Sequence, residues 1–597
     1  MFYKFFFFSF VFFILVKSSF TQIIPAVSRV DWSTAGNRFS FPSDAPVVNI
    51  FSFGGISDGV TDNLAALNNA MASFGGHPGI VYFPAGSYLL TSMISVPDSI
   101  WLRGAGSDST FIKIAHSSIG FYFSGSATNS FAYILSGFQK GSHKIQVSNP
   151  GLFAAGNYCE MRQDNGSWDV EPASWATYSV GQIVHIDSII GDTLVLTDGL
   201  HITFDTSLNL QIRKILPRNA SGISCINVER TDNSTENSGY NFGFNYAVNC
   251  ELRGIESNKS QGSHCMIGLS SHISVSGCYF HDAFLYDGSG TKGYGVTLNN
   301  HATLCLVHNN IFNHLRHAMM TKHGANGNVI AYNYSCNPYR NGTLEYPQDY
   351  CGDISLHGHY SFANLFEGNI VQTIYMDQTW GPAGPYNTFF RNRVERYGIV
   401  MSSALTNNQN LVGNEITGTG FTFPFSWGAY TLTGSGHIQH GNNRNGTIIP
   451  TGTNTLGDIS YYLASQPLFW NLSQPWPDIG IPGILGAGTI PAKEHYTAAE
   501  YTDCSQHSII TTIPRNHSKE LTVYPNPTTG KLFVILPVEN TSIYLQVTDM
   551  KGTKVISAIP DVGNSGYEFD VSWLKPGIYL FRIETEKEVY TYKFIKQ

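Results

Sequence analysis

From residue 250 onward the chain keeps returning to one short pattern, in which apolar residues alternate with polar ones, a turn intervenes, and the apolar positions resume. The segments are Leu252-Arg-Gly-Ile-Glu, Val275-Ser-Gly-Cys-Tyr-Phe, Val307-His-Asn-Asn-Ile-Phe, Ile330-Ala-Tyr-Asn-Tyr, Phe366-Glu-Gly-Asn-Ile, Phe389-Phe-Arg-Asn-Arg and Leu411-Val-Gly-Asn-Glu. Their first residues lie 23, 32, 23, 36, 23 and 22 apart, so four of six steps agree within one residue and the two longer ones read as a coil plus a loop. A fixed period of this length, rich in short β pieces and without helical periodicity, predicts a solenoid. About twenty-two residues supply three short strands and three turns, one coil of a right-handed parallel β-helix, whereas a propeller blade needs about forty. The fourth position is Asn in five consecutive members, Asn310, Asn333, Asn369, Asn392 and Asn414. Stacked Asn side chains can hydrogen-bond along the axis, so this column is read as structural.

The open end of a solenoid needs a cap. Asp62 is expected as an N-cap, with Leu64, Leu67, Met71 and Phe74 on one helical face behind it. The stretches Phe53-Gly-Gly-Ile-Ser-Asp-Gly-Val-Thr-Asp62, Val81-Tyr-Phe-Pro-Ala-Gly-Ser-Tyr88 and Leu102-Arg-Gly-Ala-Gly-Ser107 resemble the opening of the pectate-lyase-like superfamily. The resemblance spans roughly residues 45–485 and implies an all-β fold, a right-handed parallel β-helix with an N-terminal cap helix. It implies a carbohydrate substrate class but transfers no catalytic residue. The chain has no Asp-Asp, as polygalacturonase-like hydrolases have, and no Trp-Ile-Asp-His, as the main pectate lyases have.

Two stretches break the solenoid pattern. Residues 135–215 contain Gly141-Ser-His-Lys-Ile-Gln-Val and Gly181-Gln-Ile-Val-His-Ile, which read as hairpin strands of a β insertion, a candidate wall of the groove. After residue 485 the coil pattern stops, and residues 486–520 read as a connector. Residues 521–597 then carry Tyr-Pro-Asn-Pro from Tyr524, Leu574-Lys-Pro-Gly-Ile-Tyr579 and a Lys-containing last strand. This resembles the C-terminal sorting domain of the type IX secretion system of Bacteroidetes, which implies a small β-sandwich and export by that machinery.

Composition narrows the function. Charged residues are 13% of the chain, aromatics 13%, and glycines number 59, against disorder or a coiled coil. The formal charge of -8 disfavours nucleic acid as partner, since phosphate binding needs a basic surface. Lys4, the apolar run Phe5–Val16 and the small polar residues after it read as a secretory signal over residues 1–21. No later apolar run reaches membrane-spanning length, so no transmembrane segment is expected in the mature chain. Nine cysteines show no zinc-type pair, and Cys336 with Cys351 is the expected disulfide.

Stacked coils bring distant residues into columns about 4.8 Å apart. Seven residues before the aligned position lie Asn300, His323 and His359, with Lys322 beside His323, and nine before it lies His357. Nine to eleven residues after it come Arg316 and His317, then Arg340, then Asp377. Tyr375 and Trp380, with Tyr339 and Tyr386, are candidates to stack on sugar rings. Two chemistries fit. In β-elimination from a uronate, Lys322, His323 or His359 is the candidate base and Arg316 or Arg340 the cation facing the carboxylate. Asp353 and Asp377 are then candidate ligands for Ca²⁺, which prefers carboxylate oxygens. In glycoside hydrolysis two carboxylates flank the bond, Asp353 with Asp377 or Asp287 with Asp353. Asn300, His317, Arg340, His357, Tyr375 and Trp380 are the candidate substrate contacts. The leading expectation is a secreted enzyme cleaving an acidic polysaccharide by elimination; the alternatives are a glycoside hydrolase and a non-catalytic glycan-binding surface protein.

Overall fold

The computed structural model describes residues 22–233, 239–470, 473 and 475–504, and then 522–524, 528–535, 543–549, 554–558, 566–585 and 589–597. The expected signal segment, residues 505–520 of the expected connector and Leu521 lie outside the described residues. The chain divides into two compact units, Met1–Thr511 and Thr512–Gln597.

The first unit is the expected solenoid. One coil runs Leu306–His308, Ile311–Asn313 and His317–Thr321, and the next Val329–Ala331, Tyr334–Cys336 and Ile354–Leu356. Strands in corresponding positions pair in parallel, Val307 with Ile330, Phe312 with Ser335 and Thr321 with Leu356. Three faces result. The first is a ladder of twelve strands, from Val47–Asn49 to Ile438–His440. Its inward column Val275, Val307, Ile330, Phe366, Phe389 and Leu411 is buried throughout, and the Phe366 and Phe389 rings stack at 4.9 Å. Each such side chain contributes about 1.5–3 kcal/mol of burial free energy.

The Asn column lies at the turn between first and second faces. Each side-chain Nδ2 donates to the next Oδ1, Asn310 to Asn333 (3.0 Å), Asn333 to Asn369 (3.0 Å), Asn369 to Asn392 (2.9 Å) and Asn392 to Asn414 (3.0 Å), and the ladder continues to Asn442 (2.8 Å). The other amide hydrogen goes to a carbonyl of the coil before, as from Asn369 to Ile330. A second ladder, Asn328–Asn364–Asn387–Gln409, occupies the turn from third face to first. It carries the same period but was not singled out in the sequence.

The cap helix is Leu64–Ala72, and it buries Ala66, Leu67, Ala70 and Met71. Asn63 holds the N-cap position, one residue later than expected, while Asp62 Oδ1 accepts from Leu64 N at 3.1 Å. The insertion begins earlier than residue 135. Strands Ser126–Ser136, Lys144–Val147, Tyr158–Gln163, Val180–Ile190, Thr193–Leu196 and Gln211–Leu216 close into an antiparallel barrel, which leaves no open sheet edge. Ile145, Met161, Ile186, Leu194 and Ile212 fill it. It docks on the turns between third and first faces, where Asn326 Nδ2 donates to Gly181 O (2.9 Å) and Ile183 N to Thr303 Oγ1 (3.1 Å).

Residues 486–504, expected as connector, instead pack on the solenoid. The helix Pro491–Thr497 sets Lys493 Nζ 2.7 Å from Glu395, Tyr496 packs on Tyr334, and Cys504 is bonded to Cys225. The expected Cys336–Cys351 bridge is absent. Cys336 ends a second-face strand, Cys351 leads into a third-face strand, and both are buried free thiols. In the second unit, Thr522–Tyr524, Lys531–Ile535 and Gly566–Asp570 form one antiparallel sheet. Lys554–Ala558, Ile543–Asp549, Gly577–Thr585 and Val589–Lys596 form another, with Leu532, Val547 and Phe594 fully buried.

Candidate functional site

On the third face, inward side chains such as Leu298, Leu356 and Met376 alternate with outward ones. The strand register extends by one residue through His357 N to Thr321 O (3.0 Å) and Asp377 N to Leu356 O (3.2 Å). Asn299, Lys322, His357 and Asp377 are thereby neighbours across four coils. His357 Nδ1 lies 2.6 Å from Asp377 Oδ2, and Asp377 Oδ1 accepts from Thr379 N at 3.0 Å. A carboxylate only accepts, so Nδ1 carries a proton, and in the neutral imidazole Nε2 keeps the lone pair. That Nε2 bonds to no other group among the described residues, and the His357 side chain is 18% exposed, enough for a ligand to reach. Lys322, next in the row, has no acidic partner among the described residues. Its Nζ lies over the Trp175 ring at 5.6 Å, and burial, then the charge of Arg316, pull its pKa down to about 8.

The register rearranges several sequence expectations. The row Arg316, His317, Arg340, Asp377 does not form, because the loop 337–353 enters between second and third faces and shifts the count by its own length. His317 aligns with Tyr294, its Nδ1 donates to Gly352 O at 2.9 Å, and its ring is 6.1 Å from that of His357. Arg340 stays in the loop, stacked over Tyr346. Arg316 is spent on its surroundings, donating to Asp287 O, to Gly290 O (2.9 Å) and to Tyr294 Oη (2.6 Å). Asp353 is buried and accepts from Ser335 Oγ, Gln372 N and Thr373 N; burial raises its pKa to about 6 despite these donors. It aligns with Thr373, four residues before Asp377, roughly 13 Å along the strand. The pair Asp353–Asp377 therefore suits neither Ca²⁺ nor glycosidic carboxylate spacing, and Asp287, tied to Lys292 (3.1 Å), faces no second free carboxylate in Asp353. No cluster of three His, Cys, Asp or Glu fit for a metal occurs among the described residues.

His323 and His359 do lie together, edge to face with ring centroids 6.3 Å apart, and His301 continues the column at 6.1 Å from His323. Burial first, then the neighbouring His301, keeps His323 neutral, its pKa pushed down to about 2. His359 is wholly buried, and neither ring nitrogen makes a hydrogen bond among the described residues. Trp175 stands edge-on to it at 4.7 Å, Trp380 stacks on it at 6.0 Å, and Asp169 Oδ1 is 4.0 Å from its Nδ1. Tyr375, on the outward row beside Ser355, is half-buried.

The covering groups come from the barrel, and the sequence reading missed them. The connector between strands Tyr158–Gln163 and Val180–Ile190 supplies Trp168, Asp169, Trp175 and Tyr178. Beside it lies a cavity of about 250 Å³ walled by Glu160, Arg162, Arg213, Asn300, His301 and His323, among others. Asn300 also borders a second cavity of about 280 Å³, with Tyr122, Tyr240 and Met266. The aromatic density of residues 168–178 was the available signal, but only docking shows which coil it covers.

Residues 47–147 match the family described as rhamnogalacturonase A/epimerase, pectate lyase-like, and residues 522–597 match the secretion system C-terminal sorting domain. The first unit is thus a parallel β-helix whose opening matches a pectate-lyase-like family, and the tail matches a type IX sorting domain. That tail addresses it for export, to the cell surface or beyond. No curated protein matches it. Among solved structures, the tailspike protein gp49 of Pseudomonas phage LKA1 is 15% identical, covering 62% of this chain and 64% of its own, at a TM-score of 0.41. A mannuronan C-5 epimerase A-module of Azotobacter vinelandii (14%, 66% and 98%, 0.27) and a surface adhesin of Streptococcus pneumoniae (12%, 62% and 84%, 0.33) are also similar. No described helix is long and apolar enough to cross a membrane.

Proposed function

We propose that the protein is an exported enzyme acting on an acidic polysaccharide, and that it removes the proton beside a uronate carboxylate, with β-elimination as the outcome. The observation that carries this reading is the 2.6 Å His357–Asp377 bond on the outward row, next to Lys322. Asp377 fixes the tautomer, His357 Nε2 takes the proton at C5, and the Lys322 ammonium faces the charge that develops on the carboxylate. The C4–O4 bond then breaks, its electron pair leaving with O4, which takes a proton from water, and a C4–C5 double bond forms. Of the candidate bases Lys322, His323 and His359, none keeps that role in this reading: His357 takes it, and Lys322 takes the place of Arg316 or Arg340 as the cation. The match of residues 47–147 to a carbohydrate-active family supports the substrate class.

The test is to incubate the mature protein with uronate-rich glycans and follow ultraviolet absorbance, reducing ends and, in deuterated water, exchange at C5. Elimination gives the conjugated chromophore. Exchange without a chromophore would mean the proton is returned to the same carbon; new reducing ends alone would mean hydrolysis, and no change at all a binding protein.

A further inference from the structure

The cavity of about 250 Å³ lies between the barrel and the turns of the solenoid, close to the outward row but apart from His357. Its size suits one sugar residue, being below the roughly 300–1,000 Å³ of sites for larger ligands. Glu160 is the one acid in its wall, and its charge is engaged twice. Arg213 Nε donates to Glu160 Oε2 at 2.6 Å, and His301 Nδ1 lies 3.2 Å from Oε1. Arg213 also donates to Tyr246 Oη at 2.8 Å. Arg162 is different. It shares the wall, forms no ion pair among the described residues, and its Nε is sealed from solvent without a partner. Its guanidinium is held between the Tyr178 ring (4.0 Å) and the Phe131 ring (4.5 Å). A planar cation fixed by two aromatic faces, with its in-plane donors uncommitted, is preorganised for a carboxylate.

We propose that this cavity is a carboxylate-binding subsite contributed by the barrel, taking the uronate group of one sugar residue, with Arg162 as its charged contact and Trp175 and Tyr178 as the apolar wall. The inference rests on the reading that the substrate is an acidic glycan, and it names the part of the molecule that recognises the acid. Neutral sugars would leave the Arg162 donors unpaired in a partly desolvated site, so the subsite discriminates by charge.

Calorimetry on the mature full chain tests it, with trigalacturonate and trimannuronate and the methyl ester of each as probes. The acid form of at least one should bind about tenfold or more tighter than its ester. Arg162→Gln should abolish that preference and leave ester affinity within about twofold, and Arg162→Lys should restore part of it. Equal affinity for acid and ester, equal loss of both in Arg162→Gln, or binding of no probe would overturn the subsite. If Arg162→Gln does not fold, as judged by its melting curve, the wild-type ratio and Arg162→Lys decide. Turnover is read separately: a protein that binds the acid through Arg162 yet transforms no glycan keeps the subsite and loses the proposed reaction.

Discussion

His357 and Lys322 occupy adjacent coils and need opposite protonation states. The imidazole must be neutral to accept a proton, while Lys322 must be charged to face a carboxylate. On the alkaline side, activity falls as pH rises through about 8, where half-buried Lys322 loses its proton. A falling alkaline limb of kcat/KM is expected, and in Lys322→Arg it should move upward, since guanidinium stays charged. A rate that rises through pH 8 would instead make Lys322 the base. His357→Ala should reduce turnover by roughly 10²–10⁴-fold, the usual contribution of a general base, with an unchanged melting temperature. Asp377→Asn acts through tautomer and orientation, so it should lower kcat more than it raises KM, measured on the same glycan.

At the scale of elements, the turns do as much as the strands. Each Asn in the first ladder satisfies both amide hydrogens and its carbonyl oxygen inside the body, where a missing partner strands a buried polar group. Asn369→Ala should destabilise the solenoid by roughly 1–3 kcal/mol, read by denaturant titration. Asn300, outside both ladders, should tolerate Ala with less than half that loss. The barrel is the second working element. Being closed, it forms its own core and can carry the Tyr158–Gln163 to Val180–Ile190 connector over the solenoid without exposing an edge. Its signal in the sequence was a broken period and two hairpin-like stretches, enough to mark an insertion but not its closure at Ser126 or its partner surface.

For the whole molecule, the division at Thr511–Thr512 separates the body from its address. A chain ending at Thr511 should keep glycan binding and its melting temperature but remain inside the cell, as followed by fractionation. A chain ending at residue 485 should melt lower, because it loses the helix Pro491–Thr497, the Lys493–Glu395 pair and the Cys225–Cys504 bond. Equal melting temperatures would show that residues 486–504 add nothing to the body.

The twenty-three-residue period, the Asn column and the sorting tail were legible because each depends on local spacing: one coil is one repeat, and one repeat is enough to see. The column Asn300, His323, His359 was likewise placed in neighbouring coils, since the loop 337–353 inserts before the third-face strand and leaves the following turn in phase. Other contacts depended on distances through space. Asp377 meets His357 rather than Arg316, because strand register, not residue count, decides what lies beside what. Asp353 looked like a ligand by type and became an interior hydrogen-bond acceptor by burial. Arg162 and Trp175 come from a barrel more than a hundred residues from the coils it covers, and no periodicity links the two. The repeat wrote the solenoid into the chain; the packing of barrel on coil chose which polar groups it left free to act.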